Sequence, residues 1–134
     1  MSAEQRLTYV DSSAIVKLAV AEAESKALRR FLSRRQPLVS SALARTEVAR
    51  ALMPSGMEAV SRGEDVLRRI QLLRVNDRVL RAAGRMHPLD LSSLDAIHLA
   101  SVRELGSSIK QIVTYDERMT AAATAAGWPV AAPS

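Results

Sequence analysis

The chain contains no cysteine, which excludes a disulfide framework and a thiolate zinc site. Histidine is scarce, with only His87 and His98, so a metal centre would have to be built mainly from oxygen ligands. Aromatic residues make up 3% of the chain, leaving Ala, Leu, Val and Ile to fill the core. No apolar run approaches membrane-spanning length, because charges such as Lys17, Glu22 and Glu24 interrupt every candidate. The opening from Met1 to Arg6 is polar and lacks the apolar centre of a signal peptide. A cytoplasmic protein that engages no membrane is expected.

What remains is a 134-residue chain, one domain's worth, with a net charge of +5 and a pI near 10.4. The basic balance favours a polyanionic partner, since Lys and Arg neutralise phosphates and release counterions. Short apolar runs alternate with helical periodicity from end to end. Leu7 to Val10 reads as a strand, followed by a helix that Ser12 or Ser13 caps. A helix from about Glu24 to Arg34 precedes a strand at Pro37 to Ser40. Ser40 or Ser41 then caps a helix that stops near Pro54. Met57 to Leu73 reads as an amphipathic helix with Gly63 as its weak point, and Leu72 to Val75 as a short extended segment. Asp77 is placed as the cap of a helix from Arg78 to Met86. The most regular helix starts at Ser92 or Ser93 and ends at Gly106. Gln111 to Thr114 is a strand, Glu117 to Ala126 a helix, and Trp128 to Val130 an edge strand. This alternation predicts one α/β domain over 1–134, a short parallel sheet of four to five strands with helices on both faces.

Four acids stand out. Asp11 and Asp116 each follow an apolar strand, and in a parallel sheet both would lie at the carboxyl edge, where ligands bind. Either acid alone also reads as a helix cap. Asp95 lies three residues after Ser92, the spacing of a capping box, yet shares its helix face with Leu99 and Val102. Glu47 sits among Leu43, Ala44, Val48 and Ala51, an expensive place for a carboxylate unless it is paired or binds a metal. A surface pair with Arg50 would be worth only a few tenths of a kcal/mol, roughly, and does not explain that placement. Together, four clustered carboxylates would raise one another's pKa values or hold cations. Oxygen ligands point to Mg²⁺ or Mn²⁺. Such ions activate water and stabilise the leaving oxygen of a phosphodiester, which makes a basic protein with an acidic pocket a sensible nuclease.

At these residues the sequence resembles the PIN-domain ribonucleases, specifically the VapC toxins of bacterial toxin–antitoxin systems. Tyr9 to Leu18 is similar to the family's opening, Ser40 to Val48 to its second motif, Leu94 to Ala100 to its third and Val113 to Met119 to its fourth. The resemblance implies metal-site roles for Asp11, Glu47, Asp95 and Asp116, and hydrogen-bonding support from Thr114 and Ser12. It also implies Mg²⁺ or Mn²⁺, an RNA substrate, a homodimer, and a VapB-type antitoxin in a higher-order complex. The segment from Met53 to Arg74 matches no motif and is expected to face substrate or antitoxin. Ser12 and Ser13 are expected to cap the first helix and free Asp11 from that duty. His98 reads as a structural histidine or a base. Lys17 reads as a phosphate contact or a snorkelling lysine, and Trp128 as a base-stacking or sheet-packing residue. Two alternatives stay open: a PIN nuclease of RNA maturation without an antitoxin, and a catalytically silent binding module. A haloacid-dehalogenase-like phosphatase would need an acid two residues after Asp11, where Ser13 stands.

Overall fold

Strands form where apolar runs are long enough to be buried on both faces. A computed structural model describes residues 6–134, so the first five residues of the 1–134 span lie outside it. The strands are β1 (Leu7–Val10), β2 (Leu38–Ser41), β3 (Gln71–Leu73), β4 (Ile109–Val113) and β5 (Val130–Ala131). The helices are α1 (Ser12–Ala19), α2 (Ser25–Ser33), α3 (Ala44–Leu52), α4 (Met57–Leu67), α5 (Asp77–Ala83), α6 (Ser93–Leu105) and α7 (Glu117–Ala125). All strand pairings are parallel, in the order β3-β2-β1-β4-β5. The chain first builds outward from β1 through β2 to β3, then crosses back to set β4 on the other side of β1. The carboxyl ends of β1 and β4 therefore flank a topological switch point, the crevice where open α/β sheets place their ligands.

Alternation along each strand divides the core. Val10, Leu38 and Val113 face α1 to α4, packing with Ile15, Leu28, Val48 and Val60. Leu7, Tyr9, Val39 and Ile112 face α6 and α7, packing with Leu99, Val102 and Met119. Helix α5 packs on α6. The α/β reading with helices on both faces holds, at five strands.

Four local expectations are corrected. The amphipathic pattern of 57–73 does not stay helical: α4 ends at Leu67, because Gln71 to Leu73 pair with Val39 to Ser41 and the sheet claims them. Gly63 is no weak point, since it is buried where α4 crosses α3. A Cβ there would lie 2.6 Å from Leu52 Cδ1 and 3.0 Å from Val48 Cγ1. Asn76, not Asp77, caps α5 by accepting from the Val79 N–H at 2.9 Å. No side chain caps α3; Ser41 Oγ accepts from the Leu43 N–H in the turn before it. Ser92 does cap α6, accepting from the Asp95 N–H, and Gly106 closes that helix with φ at 56°. Among the described residues, no helix is long and apolar enough to cross a membrane.

Candidate active site

The site is built at the paired ends of β1 and β4. Val10 and Val113 are register partners, so the residues that follow them, Asp11 and Thr114, emerge side by side. The Asp11 N–H donates to the Val113 carbonyl and ties the two strand ends together. Asp11 is the N-cap of α1: its Oδ1 accepts from the Ala14 N–H at 3.2 Å. The expectation that Ser12 and Ser13 relieve it of capping is therefore wrong. Both serines have other work. Ser13 Oγ donates to Asp11 Oδ1 at 2.6 Å and accepts from the Tyr115 N–H at 2.9 Å. Ser12 Oγ donates to Glu47 Oε1 at 2.5 Å.

Thr114 is the hub of the β4 side. Its fully buried hydroxyl donates to Asp11 Oδ2 and accepts the Asp116 N–H at 3.1 Å. One oxygen thus orients both strand-end acids. Asp116 in turn caps α7, its Oδ1 accepting from the N–H groups of Arg118 and Met119. Capping does not close either acid to a ligand, because a capping carboxylate keeps lone pairs free on the side facing away from its helix.

Burial pushes the Asp11 carboxyl above its ordinary value of 3.8, although hydrogen bonds from Ser13 and Thr114 favour the charged form. Asp95, half-buried in the first turn of α6, is also raised, first by burial and then by the negative charges of Asp116 and Asp11. Asp95 therefore feels the charge of two acids carried by other elements.

Glu47 is held differently. It projects from α3 into a buried relay: His98 Nε2 lies 2.7 Å from Glu47 Oε1, and His98 Nδ1 lies 2.7 Å from the Tyr9 hydroxyl. The Tyr9 and His98 rings meet edge to face at 5.8 Å. Burial lifts Tyr9 well above its usual range, so its hydroxyl keeps its proton. The Tyr9 hydroxyl and the Glu47 carboxylate thus engage one ring nitrogen each of His98. Burial pulls Glu47 upward, but the hydrogen bond and charge of His98, with the Ser12 hydroxyl, hold it below its ordinary value. The relay joins α3, on one face of the sheet, to α6 on the other. The surface pairing of Glu47 with Arg50, set aside above as too weak to explain its placement, does not occur among the described residues.

Sequence reasoning thus missed Ser13 and Tyr9 as site residues. The signal for Ser13 was its place two residues after Asp11; Tyr9 carried none beyond its strand. Lys17 is already engaged, bonded to Glu22 and Glu24 at 3.0 Å each, with its ammonium 4.9 Å from the centre of the Tyr115 ring.

The donor set is all oxygen apart from His98, which suits a hard cation. Among the described residues, no three acids or imidazoles converge tightly enough to enclose an ion. The arrangement fits an open site, in which an ion held by one or two carboxylates keeps its waters.

Comparison with known proteins places these features in context. The PIN-domain family model matches residues 8–125. The chain is 55% identical to Ribonuclease VapC46 of Mycobacterium tuberculosis over 126 residues, covering 94% of this chain and 97% of that protein. Two solved structures share the fold. One is M. tuberculosis VapC20, described as a Sarcin-Ricin loop cleaving toxin, with a TM-score of 0.74 at 20% identity, covering 90% of this chain and 95% of that one. The other is a chain of a toxin–antitoxin complex from Klebsiella pneumoniae, with a TM-score of 0.70 at 18% identity, covering 95% and 98%.

Proposed function

Since the chain belongs to the PIN-domain family and, within it, to the VapC ribonucleases, we propose that it is a toxin endoribonuclease hydrolysing RNA phosphodiester bonds at the carboxylate centre of Asp11, Asp95, Asp116 and Glu47. The observation that carries this reading is the Thr114 hydroxyl, which seats Asp11 and Asp116 together at the switch point of the sheet. Asp95, raised by burial and then by the charges of Asp116 and Asp11, lies near enough to feel both.

Mg²⁺ or Mn²⁺ is the cofactor of this reading, held by Asp11 and Asp95 with Asp116 and Glu47 completing the acidic wall. When bound, such an ion supplies Lewis-acid stabilisation to the phosphodiester under hydrolysis. The protein's own part is preorganisation. Thr114 and Ser13 lock the Asp11 carboxylate from both oxygens, and Ser12 and His98 fix Glu47 in its ionised form. Asp95 is raised by burial first and then by repulsion from Asp116 and Asp11, and the repulsive part is relieved when positive charge enters, which favours a cation here. The net charge of +5 draws an RNA strand toward this acidic pocket.

The same family membership supports a VapB-type antitoxin as partner, a homodimer within a higher-order complex, and a cytoplasmic location. The test is direct. Protein purified free of antitoxin is incubated with total RNA with EDTA, Mg²⁺ or Mn²⁺. Cleavage should depend on metal and vanish in Asp11→Asn and Asp95→Asn. Full activity in either variant, or cleavage unaffected by EDTA, refutes the reading. Mapping RNA 5′ ends in cells after brief induction, against Asp11→Asn, would identify the target.

A further inference from the structure

The chain's only tryptophan is not spent on the core. Trp128 is half-buried on the wall of an open groove of about 730 Å³, between the α5–α6 loop and the alanine-rich face of α7. Its backbone is fixed on both sides. The Trp128 N–H donates to the Ala123 carbonyl, Gly127 takes the positive φ of 91° that the turn requires, and the Pro129 carbonyl accepts from Ile112 in β4. The side chain packs against the buried cluster that includes Leu99, Val102 and Met119, and with Met86 it forms part of the groove wall.

The charge around it has one sign. Arg85 and Arg103 line the groove, both exposed and neither in an ion pair among the described residues, and His87 lines it too. No acid lines it. A rigid indole beside two free guanidinium groups suits a ligand with a flat π-face and a phosphate backbone. An apolar peptide would leave both arginines unmatched. The groove lies toward the far ends of the two helices whose starts carry Asp95 and Asp116. Arg103 is eight residues along α6 from Asp95, about 12 Å, and the alanine face lies on the helix that Asp116 caps.

We infer that this groove is a second RNA-binding site, in which Trp128 stacks on a base and Arg85 and Arg103 hold the flanking phosphates of a strand whose other end lies in the acidic crevice. The inference rests on the nuclease reading for the choice of RNA among nucleic acids. Stacking of this kind tolerates any base, so the site adds grip and reach to substrate binding and no sequence preference of its own.

Because Trp128 is the sole tryptophan, its fluorescence reports the groove directly. Oligoadenylate of about ten nucleotides, the length of strand a stacking groove engages, is titrated in EDTA, so that no cleavage occurs. Saturable quenching is expected, weakened about tenfold in the Arg85→Ala/Arg103→Ala double variant. With Mg²⁺ present, that variant should raise KM for a long RNA by a similar factor and leave kcat within about twofold. The inference is overturned by absent quenching, by equal affinity in the double variant, or by a glutamate-rich peptide that quenches as well as the RNA does. The two readings separate cleanly. Cleavage without quenching refutes the groove and spares the nuclease, while quenching without any metal-dependent cleavage supports the groove and refutes the nuclease.

Discussion

Removing one oxygen at the far end of the buried relay, by Tyr9→Phe, isolates its energetic worth. The Tyr9 side chain is fully buried and its hydroxyl sits 2.7 Å from His98 Nδ1, which is itself 2% exposed. Phenylalanine keeps the ring and its edge-to-face contact but leaves Nδ1 without its hydrogen-bond partner. An unsatisfied buried polar group costs about 1–3 kcal/mol. The phenyl ring recovers part of that by shedding a polar group, so a net loss of about 1–2 kcal/mol is expected. For a domain of this size that corresponds to roughly 4–8 °C in Tm. The decisive measurement is a double-mutant cycle in urea with Glu47→Gln, which keeps an acceptor for Ser12 and His98 but removes the charge. If Tyr9, His98 and Glu47 act as one chain, the two changes should be non-additive by at least about 0.5 kcal/mol. A Tyr9→Phe protein within about 0.5 kcal/mol of the parent, at unchanged m-value, would refute the relay, and so would strict additivity.

Other outcomes follow from the same geometry. Asp116→Asn should preserve stability within about 0.5 kcal/mol, because Asn caps helices as well as Asp, while Asp116→Ala should cost about 1 kcal/mol; equal losses in urea would show that the cap is not what holds α7. Gly63→Ala gains about 1 kcal/mol of helix propensity but drives a methyl into Leu52 and Val48, overpacking that costs about 1–3 kcal/mol, so a net loss is expected, and a rise in Tm would contradict the α3–α4 approach. Asp11→Asn should abolish cleavage yet gain relative stability with pH in the metal-free protein. A raised carboxyl pKa means that the folded state keeps a proton which the unfolded state releases, so parental stability falls as pH climbs from 3.8 through the raised value. Glu47, held below its ordinary value, has the opposite sign and is common to both proteins. Urea curves in EDTA across that window should show the Asn-minus-Asp difference growing with pH, and a flat or shrinking difference would count against the burial of Asp11.

The sheet and the acids were legible because both leave local marks. Buried parallel strands are short apolar runs, and an acid just after such a run lands at the carboxyl edge whatever the rest of the fold does. The relay was not legible, because its bonded pairs, Glu47–His98 and Tyr9–His98, are 51 and 89 residues apart, and no periodicity joins a strand residue to residues on two helices. Glu47 announced only that it needed a partner. The end of α4 was hidden for a different reason. A three-residue strand has too few positions to show a period of two, and Leu72 and Leu73 extended the apolar markers of the helix before it. Asp11 as a cap was one of two open readings, and the structure shows the cap, while the metal-site role is the one proposed above.

The Thr114 hydroxyl has a consequence in time as well as in space. Asp11 and the oxygen that seats it are separated by 103 positions of chain. During synthesis the ribosome delivers Asp11 first, then Glu47, then Asp95, and only afterwards the strand that completes the central pair. Until β4 docks beside β1, the growing chain has carboxylates but no assembled centre. A pair joined across 103 positions of chain therefore cannot assemble until most of the chain has been made.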